Sequence, residues 1–325
     1  LLCPFLAHLK ANGAEEVTVI SKRAFVELFS ATRGVDRIVA LDRKAGMRGI
    51  RQIAASHRAD DAVVIDAHNT MRSQLLGRGL GGVDARLKKY YAGRVGLILF
   101  KRPCTIPTMA RRYSDLGESL GFPPMTASVG GIDIPASARK AVDEALINIG
   151  GKLVSIAAGS RWPTKEWGLD KYIELTRRII EDRDIHVLLH GNDEERRDAD
   201  VIAGLFPGRV TNLAGRTGIL ETAAAIERSA IFVGNDSGLM HLSEAVGTPV
   251  VALFGPTVEQ FGYYPSLPGS KVVERALNCR PCSRNGQRPC PRGSQECLTG
   301  ITTDWVETAV RDALAARGPD RYIYN

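Results

Sequence analysis

The chain has 325 residues, more than the roughly 100–200 typical of a single domain, so two domains of ordinary size are the first expectation. Hydrophobic residues at 44% suffice for packed cores. Charged residues at 24%, with no apolar run of the roughly 18 residues a span needs, argue against a transmembrane helix or signal peptide within these residues. Lys and Arg outnumber Asp and Glu by 43 to 36, a net +7 that favours acidic partners such as nucleotides, phosphorylated acceptors or an anionic membrane surface. The basic residues are spread without a Lys/Arg block and with few interleaved aromatics, which argues against nucleic acid.

Taken in chain order, LLCPFLAHLKANG opens inside an amphipathic helix with no N-cap and no preceding strand, so a strand is expected upstream of Leu1. Strand-like runs follow at 17–21 (VTVIS), 37–41 (RIVAL) and 62–67 (AVVIDA), separated by helical patterns near 46–58 and from about 70. RVGLILF at 94–100 reads as a further strand, and a loop with Pro103 and Pro107 leads to a helix over 108–121. Short continuous apolar runs alternating with helix-length segments predict a parallel sheet covered on both faces. The Pro- and Gly-rich stretch from Gly121 is a connector, placing a boundary near residue 150, between domains 1–149 and 150–325.

The alternation then restarts. Strands are predicted at 153–160, 186–191, 210–215, 230–236 and 249–255, with helices at 169–182, 193–205, 219–228 and 238–246: a second doubly wound α/β unit. A last helix over 303–316 has Thr303 and Asp304 as N-cap candidates.

The turn in VGNDSGLMHLSEAVGTPVVALFGPT joins a strand to a helix at the carboxyl edge of such a sheet, where unpaired helix N–H groups attract anions. Gly238 lets a phosphate approach the backbone, and the N–H groups of Gly238, Leu239, Met240 and His241 form the first turn. The competing reading is structural: Asn235 and Asp236 cap the helix, and His241 is a hydrogen-bonded helical histidine. Two neighbouring strand ends favour the functional one, because AAGSRWPTKEW brings Ser160, Arg161 and Lys165, and ALFGPT brings Gly255 and Thr257, to the same rim.

Together GSRWPTKEW, HGNDEE, NLAGRTGILETAAAIERS and NDSGLMHLSEAVGTPVVALFGPT resemble the family 9 glycosyltransferases, whose best-known members are the lipopolysaccharide heptosyltransferases; the first half matches more weakly. The resemblance implies a GT-B type fold, two Rossmann-like doubly wound parallel-sheet domains facing a cleft, with the acceptor bound by the first and the nucleotide sugar by the second. It implies an inverting, metal-independent transfer of a sugar such as heptose from ADP-heptose to an acidic glycolipid, the lipopolysaccharide core. That chemistry runs in the cytoplasm with peripheral contact at the inner membrane face. By matching positions, Lys165 and Ser160 would hold the diphosphate, with Ser237, Gly238, Leu239, Met240 and His241 around it; Asp236 would bind the sugar hydroxyls and share with Lys165 the catalytic role, and Glu195 the ribose, with Glu194 an equal choice by a one-residue shift. The family's general base, an Asp in a Gly-containing loop, would lie before Leu1. Asp66 and His68, at the end of a first-half strand, are either acceptor-facing or strand-end caps.

Cys279, Cys282, Cys290 and Cys297 form C-x2-C-x7-C-x6-C in a loop of Gly, Pro and Arg. Such a set suits a structural zinc or an iron–sulfur cluster, or it is a group of reduced thiols packing an irregular loop. Arg275, Arg280, Arg284, Arg288 and Arg292 around it either offset thiolate charge or meet an acidic acceptor. No cofactor is expected for transfer itself. Two other functions stay open: a sugar-nucleotide epimerase of the same architecture, which needs no acceptor, and a non-catalytic sugar-nucleotide or metal-binding module.

Overall fold

In a computed structural model the described residues are 1–325 without 43, 45, 60, 103, 316–320 and 325. The first half runs α1 (Cys3–Ala11), β1 (Thr18–Lys22), α2 (Val26–Ser30), β2 (Arg37–Leu41), α3 (Gly46–Ser56), β3 (Ile65–Asp66), α4 (Met71–Leu80), β4 (Ala85–Arg86), α5 (Tyr91–Phe100) and α6 (Met109–Glu118). The second half runs α7 (Ala136–Ala145), β5 (Lys152–Ala157), α8 (Leu169–Ile179), β6 (Ile185–Leu189), α9 (Arg196–Leu205), β7 (Val210–Asn212) and α10 (Ile219–Glu227). It ends with β8 (Ile231–Asn235), α11 (Gly238–Ala245), β9 (Val250–Phe254), β10 (Lys271–Arg275), α12 (Glu296–Thr299), α13 (Thr303–Leu314) and β11 (Arg321–Tyr324). Two compact units result: Leu1–Tyr91 with Pro107–Asp133, and Ala92–Ile106 with Ile134–Asn325. The division falls at Asp133, before α7 rather than after it, because α7 packs on α10 and Arg139 bonds both carboxylate oxygens of Glu227.

In the first unit β1 pairs with β2 and β3 with β4, each pair parallel. Thr70 caps α4 by accepting from the Ser73 amide. RVGLILF, expected as a strand, lies inside helix α5, in the part of that helix that belongs to the second unit. Arg94 and Leu97 are buried while Val95, Leu99 and Phe100 are exposed, a helical alternation that a short apolar run does not reveal by itself. Pro103 of the expected loop lies outside the described residues.

The second unit is one seven-stranded parallel sheet in the order β11-β10-β9-β8-β5-β6-β7. The chain leaves β5 toward β6 and β7, then returns to β8 on the other side, so the order reverses between β5 and β8; loops after those strands border the crevice where ligands bind in such sheets. Strands β6, β8 and β9 are buried throughout, as continuous apolar runs covered on both faces must be. Helix α8 buries Tyr172, Leu175, Thr176 and Ile179, one face at three- and four-residue spacing. Helix α13 packs on α8 and on β8, β9 and β10, burying Val306, Ala309 and Val310. Its cap is Thr302, one residue before the expected pair, accepting from the Trp305 amide.

Leu298 of α12 is fully buried against Gly255, where an added Cβ would lie 2.6 Å from Leu298 Cγ. Leu298→Ala should therefore cost about 2–5 kcal/mol of stability. Urea unfolding followed by the fluorescence of the three tryptophans, Trp162, Trp167 and Trp305, measures it.

Candidate nucleotide-binding site

Three strand ends of the second unit supply the site. After β8, Asp236 is buried, and its backbone N–H continues the ladder to Leu253 O. Its Oδ2 accepts from Lys165 Nζ at 2.5 Å and from Thr257 Oγ1 at 2.7 Å. Lys165 ends a 3-10 turn (Pro163–Lys165) in the loop after β5, and Thr257 lies in the loop after β9, so one carboxylate oxygen ties three loops together. The ion pair is largely shielded, with side chains 11% and 9% exposed. Asp236 Oδ1 has no protein donor among the described residues and remains available to a hydroxyl.

Ser237, and neither Asn235 nor Asp236, occupies the N-cap of α11, and its side chain makes no capping bond. Asn235 instead donates to the carbonyls of Ala158 and Gly159, lacing β8 to the end of β5. Past the cap, the first N–H groups of α11 have no partner within the helix. A Cβ placed on Gly238 would meet no atom within 4 Å, so the helix start is open on that side. Met240 is wholly buried, leaving only its backbone to serve a ligand, and Leu239 is half-buried. Ser237 Oγ and His241 Nδ1 are both shielded from solvent without a hydrogen-bond partner. Burial above all pushes His241 down to about 4, with Asp236 opposing in part and Lys165 adding least, so its imidazole is neutral at pH 7.

Glu195 stands at the N-cap of α9 and accepts from the Asn192 amide at 2.8 Å. A Cβ on Gly159 or Gly191 would run into its carboxylate, so two glycines at the ends of β5 and β6 let Glu195 lie on the rim. Glu194 is exposed and Glu195 half-buried. Ser160 is half-buried, and its backbone bonds Glu166, whose carboxyl is pushed up by burial and by the neighbouring Glu195.

Sequence reasoning missed the brace behind these groups. Arg280 pairs with the buried Glu274 at 2.6 Å and donates to the carbonyls of Gly255 at 2.5 Å and Thr257 at 2.8 Å. With its side chain only 6% exposed, it holds the loop that presents Thr257 to Asp236 and is not open to an acidic acceptor. Arg275 is likewise engaged, with Glu296 at 2.9 Å. Thr164 donates to Gly286 O, and Lys165 packs on Gly286, so the Cys-containing loop backs the lysine. One signal was readable: Arg280 lies between Cys279 and Pro281-Cys282, in a loop too irregular to satisfy its own backbone.

The metal reading of that loop finds no support, and the reading of reduced, packed thiols fits its cysteines better. Cys279, Cys282, Cys290 and Cys297 are all free, and among the described residues no three His, Cys, Asp or Glu side chains converge to hold a metal ion. Cys297 joins the apolar core, where burial pushes its thiol up to about 11; burial also raises Cys282, and each nearby thiolate adds to both shifts. Arginine–carbonyl bonds organise the loop instead. In the first unit, Asp66 is a cap: Oδ1 accepts from the amides of His68 and Asn69, and Oδ2 from Ser73 Oγ.

Residues 55–292 match glycosyltransferase family 9 (heptosyltransferase). The chain belongs to that family. It is 33% identical over 158 residues, 47% of its own length, to lipooligosaccharide heptosyltransferase 2 of Haemophilus influenzae. It is 27% identical over 212 residues, 64% of its length, to lipopolysaccharide heptosyltransferase 2 of Salmonella typhimurium. These matches span 44% and 58% of those relatives, about half their length. A solved structure, the ADP-heptose lps heptosyltransferase II of E. coli, superposes over 97% of this chain and 95% of that one with a TM-score of 0.72 at 21% identity, a likeness of fold.

Two outcomes test the site's construction. Arg280→Ala takes the cation from the buried Glu274, which keeps the Tyr264 hydroxyl, and should cost about 3–5 kcal/mol, whereas the exposed Arg288→Ala should stay within about 0.5 kcal/mol, both read by thermal unfolding. His241 resists protonation in the folded chain down to about 4, while an unfolded histidine takes up its proton near 6.5. The unfolded state therefore binds more protons between those values, and stability should fall as pH drops from about 6.5 to 4. The fall should be shallower in His241→Gln, measured by urea unfolding across that range.

Proposed function

We propose that the second unit binds the diphosphate of a nucleotide sugar at the start of α11 and that the protein transfers the sugar to a lipid-linked saccharide acceptor. One observation carries the reading: an ammonium group, Lys165, is fixed beside an open helix N-terminus where Ser237 Oγ and His241 Nδ1 await partners. An anion with several acceptor oxygens suits that set. A neutral imidazole can donate one N–H to a phosphate oxygen or accept from a hydroxyl, and the helix terminus and Lys165 supply the positive field.

In the proposed reaction the acceptor hydroxyl attacks the anomeric carbon, the bond from that carbon to the diphosphate oxygen breaks, and the nucleoside diphosphate departs. A single displacement of this kind inverts the anomeric centre. Negative charge grows on the leaving oxygen, and Lys165 with the α11 amides stabilises it in place of a divalent cation. Asp236 orients the ammonium through Oδ2 and offers Oδ1 to a sugar hydroxyl; Ser160 adds a bond to the diphosphate, and Glu195 accepts from the ribose hydroxyls. The acceptor and the base that takes its proton belong in this proposal to the first unit.

Family membership and the name of the E. coli structural relative support heptose from ADP-heptose as the transferred group, and lipopolysaccharide core as the acceptor class. Such an acceptor is amphiphilic, so the protein is proposed to work in the cytoplasm in peripheral contact with the inner membrane face.

Calorimetric titration with ADP, GDP and UDP should show binding, tightest for ADP. Lys165→Ala should weaken it on the order of tenfold to a hundredfold, the worth of a charge-assisted bond to a phosphate. Equal affinity in the two proteins would remove Lys165 from the site, and release of ADP from ADP-heptose only when core saccharide is added would establish transfer.

A further inference from the structure

Helix α5 carries a surface that the donor site does not use. Its buried face, Arg94 and Leu97, holds it to the second unit: Arg94 donates to Phe261 O at 3.3 Å and lies over the rings of Phe261 and Tyr263. The opposite face shows Tyr91, Val95 and Leu99 at four-residue spacing, with Phe100 beside them, and each is 42–65% exposed. This one short helix thus holds four of the twelve large hydrophobic side chains exposed among the described residues, a clustering that scattered surface apolar residues do not produce.

Charge around the stripe has one sign. From residue 92 to 106, the segment of the second unit that carries it, the sequence has three Lys or Arg and no Asp or Glu. Arg102, at the end of α5, is exposed with its guanidinium over the Phe100 ring. Lys101 donates to the carbonyls of Cys279 and Pro281 at 2.8 and 2.6 Å, which seats the Cys-containing loop against the end of the helix. That loop is also free of acidic residues from 278 to 295, and its Arg284, Arg288 and Arg292 are exposed. A second copy of this chain would bring the same positive charge and be repelled. An anionic surface with an apolar interior complements both features.

We propose that the exposed face of α5, with Arg102 and the exposed Arg288 and Arg292, docks on a bilayer containing anionic phospholipid: Val95, Leu99 and Phe100 enter the headgroup boundary and these three guanidinium groups pair with lipid phosphates. This deepens the membrane-face reading above by naming the surface, and it rests on that reading. It requires nothing of the donor site.

Sedimentation with extruded vesicles tests it. The wild-type protein should partition onto vesicles of phosphatidylglycerol and phosphatidylcholine, should leave them as salt is raised, and should bind pure phosphatidylcholine far more weakly. Leu99→Asp with Phe100→Asp should lower partition about tenfold or more, and Arg102→Glu by at least about fivefold, the worth of one basic group at an anionic surface. Unchanged thermal unfolding in the variants confirms that they fold. No partition by the wild type would overturn both the membrane contact and this surface. Partition by the wild type that the variants retain in full would overturn this surface alone.

Discussion

The ion pair between Lys165 and Asp236 is the contact on which the site depends, and its position explains why the surroundings are built as they are. An ammonium parked near the amino end of a helix faces the helix's own partial positive charge and would be pushed into solvent unless a carboxylate held it. Asp236, the residue just before the α11 cap, does so. A charge pair this shielded is stable only with good geometry and further hydrogen bonds, and Thr257 provides one to the same oxygen. Behind Thr257 stands the Arg280–Glu274 pair, and behind Lys165 stands Gly286. Four segments distant in the sequence are thus committed to the position of one positive charge.

Around that charge the protein leaves polar groups unmatched. Burying Ser237 Oγ and His241 Nδ1 without partners costs about 1–3 kcal/mol each, which a sequence under selection for stability alone would remove. Native proteins break such rules at sites where a ligand completes the set. His241 fits that logic further, because an imidazole kept neutral beside Lys165 avoids a second repulsive charge and retains one donor and one acceptor nitrogen.

The loop from 279 to 297 shows how composition misleads when residue types are read one at a time. Its cysteines have a spacing that suits a metal, yet an arginine among them organises it: Arg280 bridges carbonyls just past β9, while Arg275, at the end of the neighbouring β10, clasps Glu296 at α12. The loop meets Lys165 on one side through Gly286 and Lys101 on the other, so the same irregular segment supports the donor site and α5.

By itself the sequence determined the alternation of strands and helices in the second half, the polar strand ends at Ser160, Asp236 and Thr257, and the family these motifs mark. Those features are local: short buried runs, helix spacing and turn residues lie within a few positions of one another. What only the tertiary structure decided involves distant partners. Lys165 meets Asp236 across 71 positions, Lys101 meets Cys279 across 178, and RVGLILF is a helix because its Arg94 finds Phe261 across 167. Strand β10 also escaped the local reading, and it pairs with β9 on one side and β11 on the other. Apolar runs of five to seven residues carry too little periodicity to choose helix or strand, and a cysteine's spacing does not say whether its thiol faces a metal or a core; in both cases the partner chosen by packing settles the outcome.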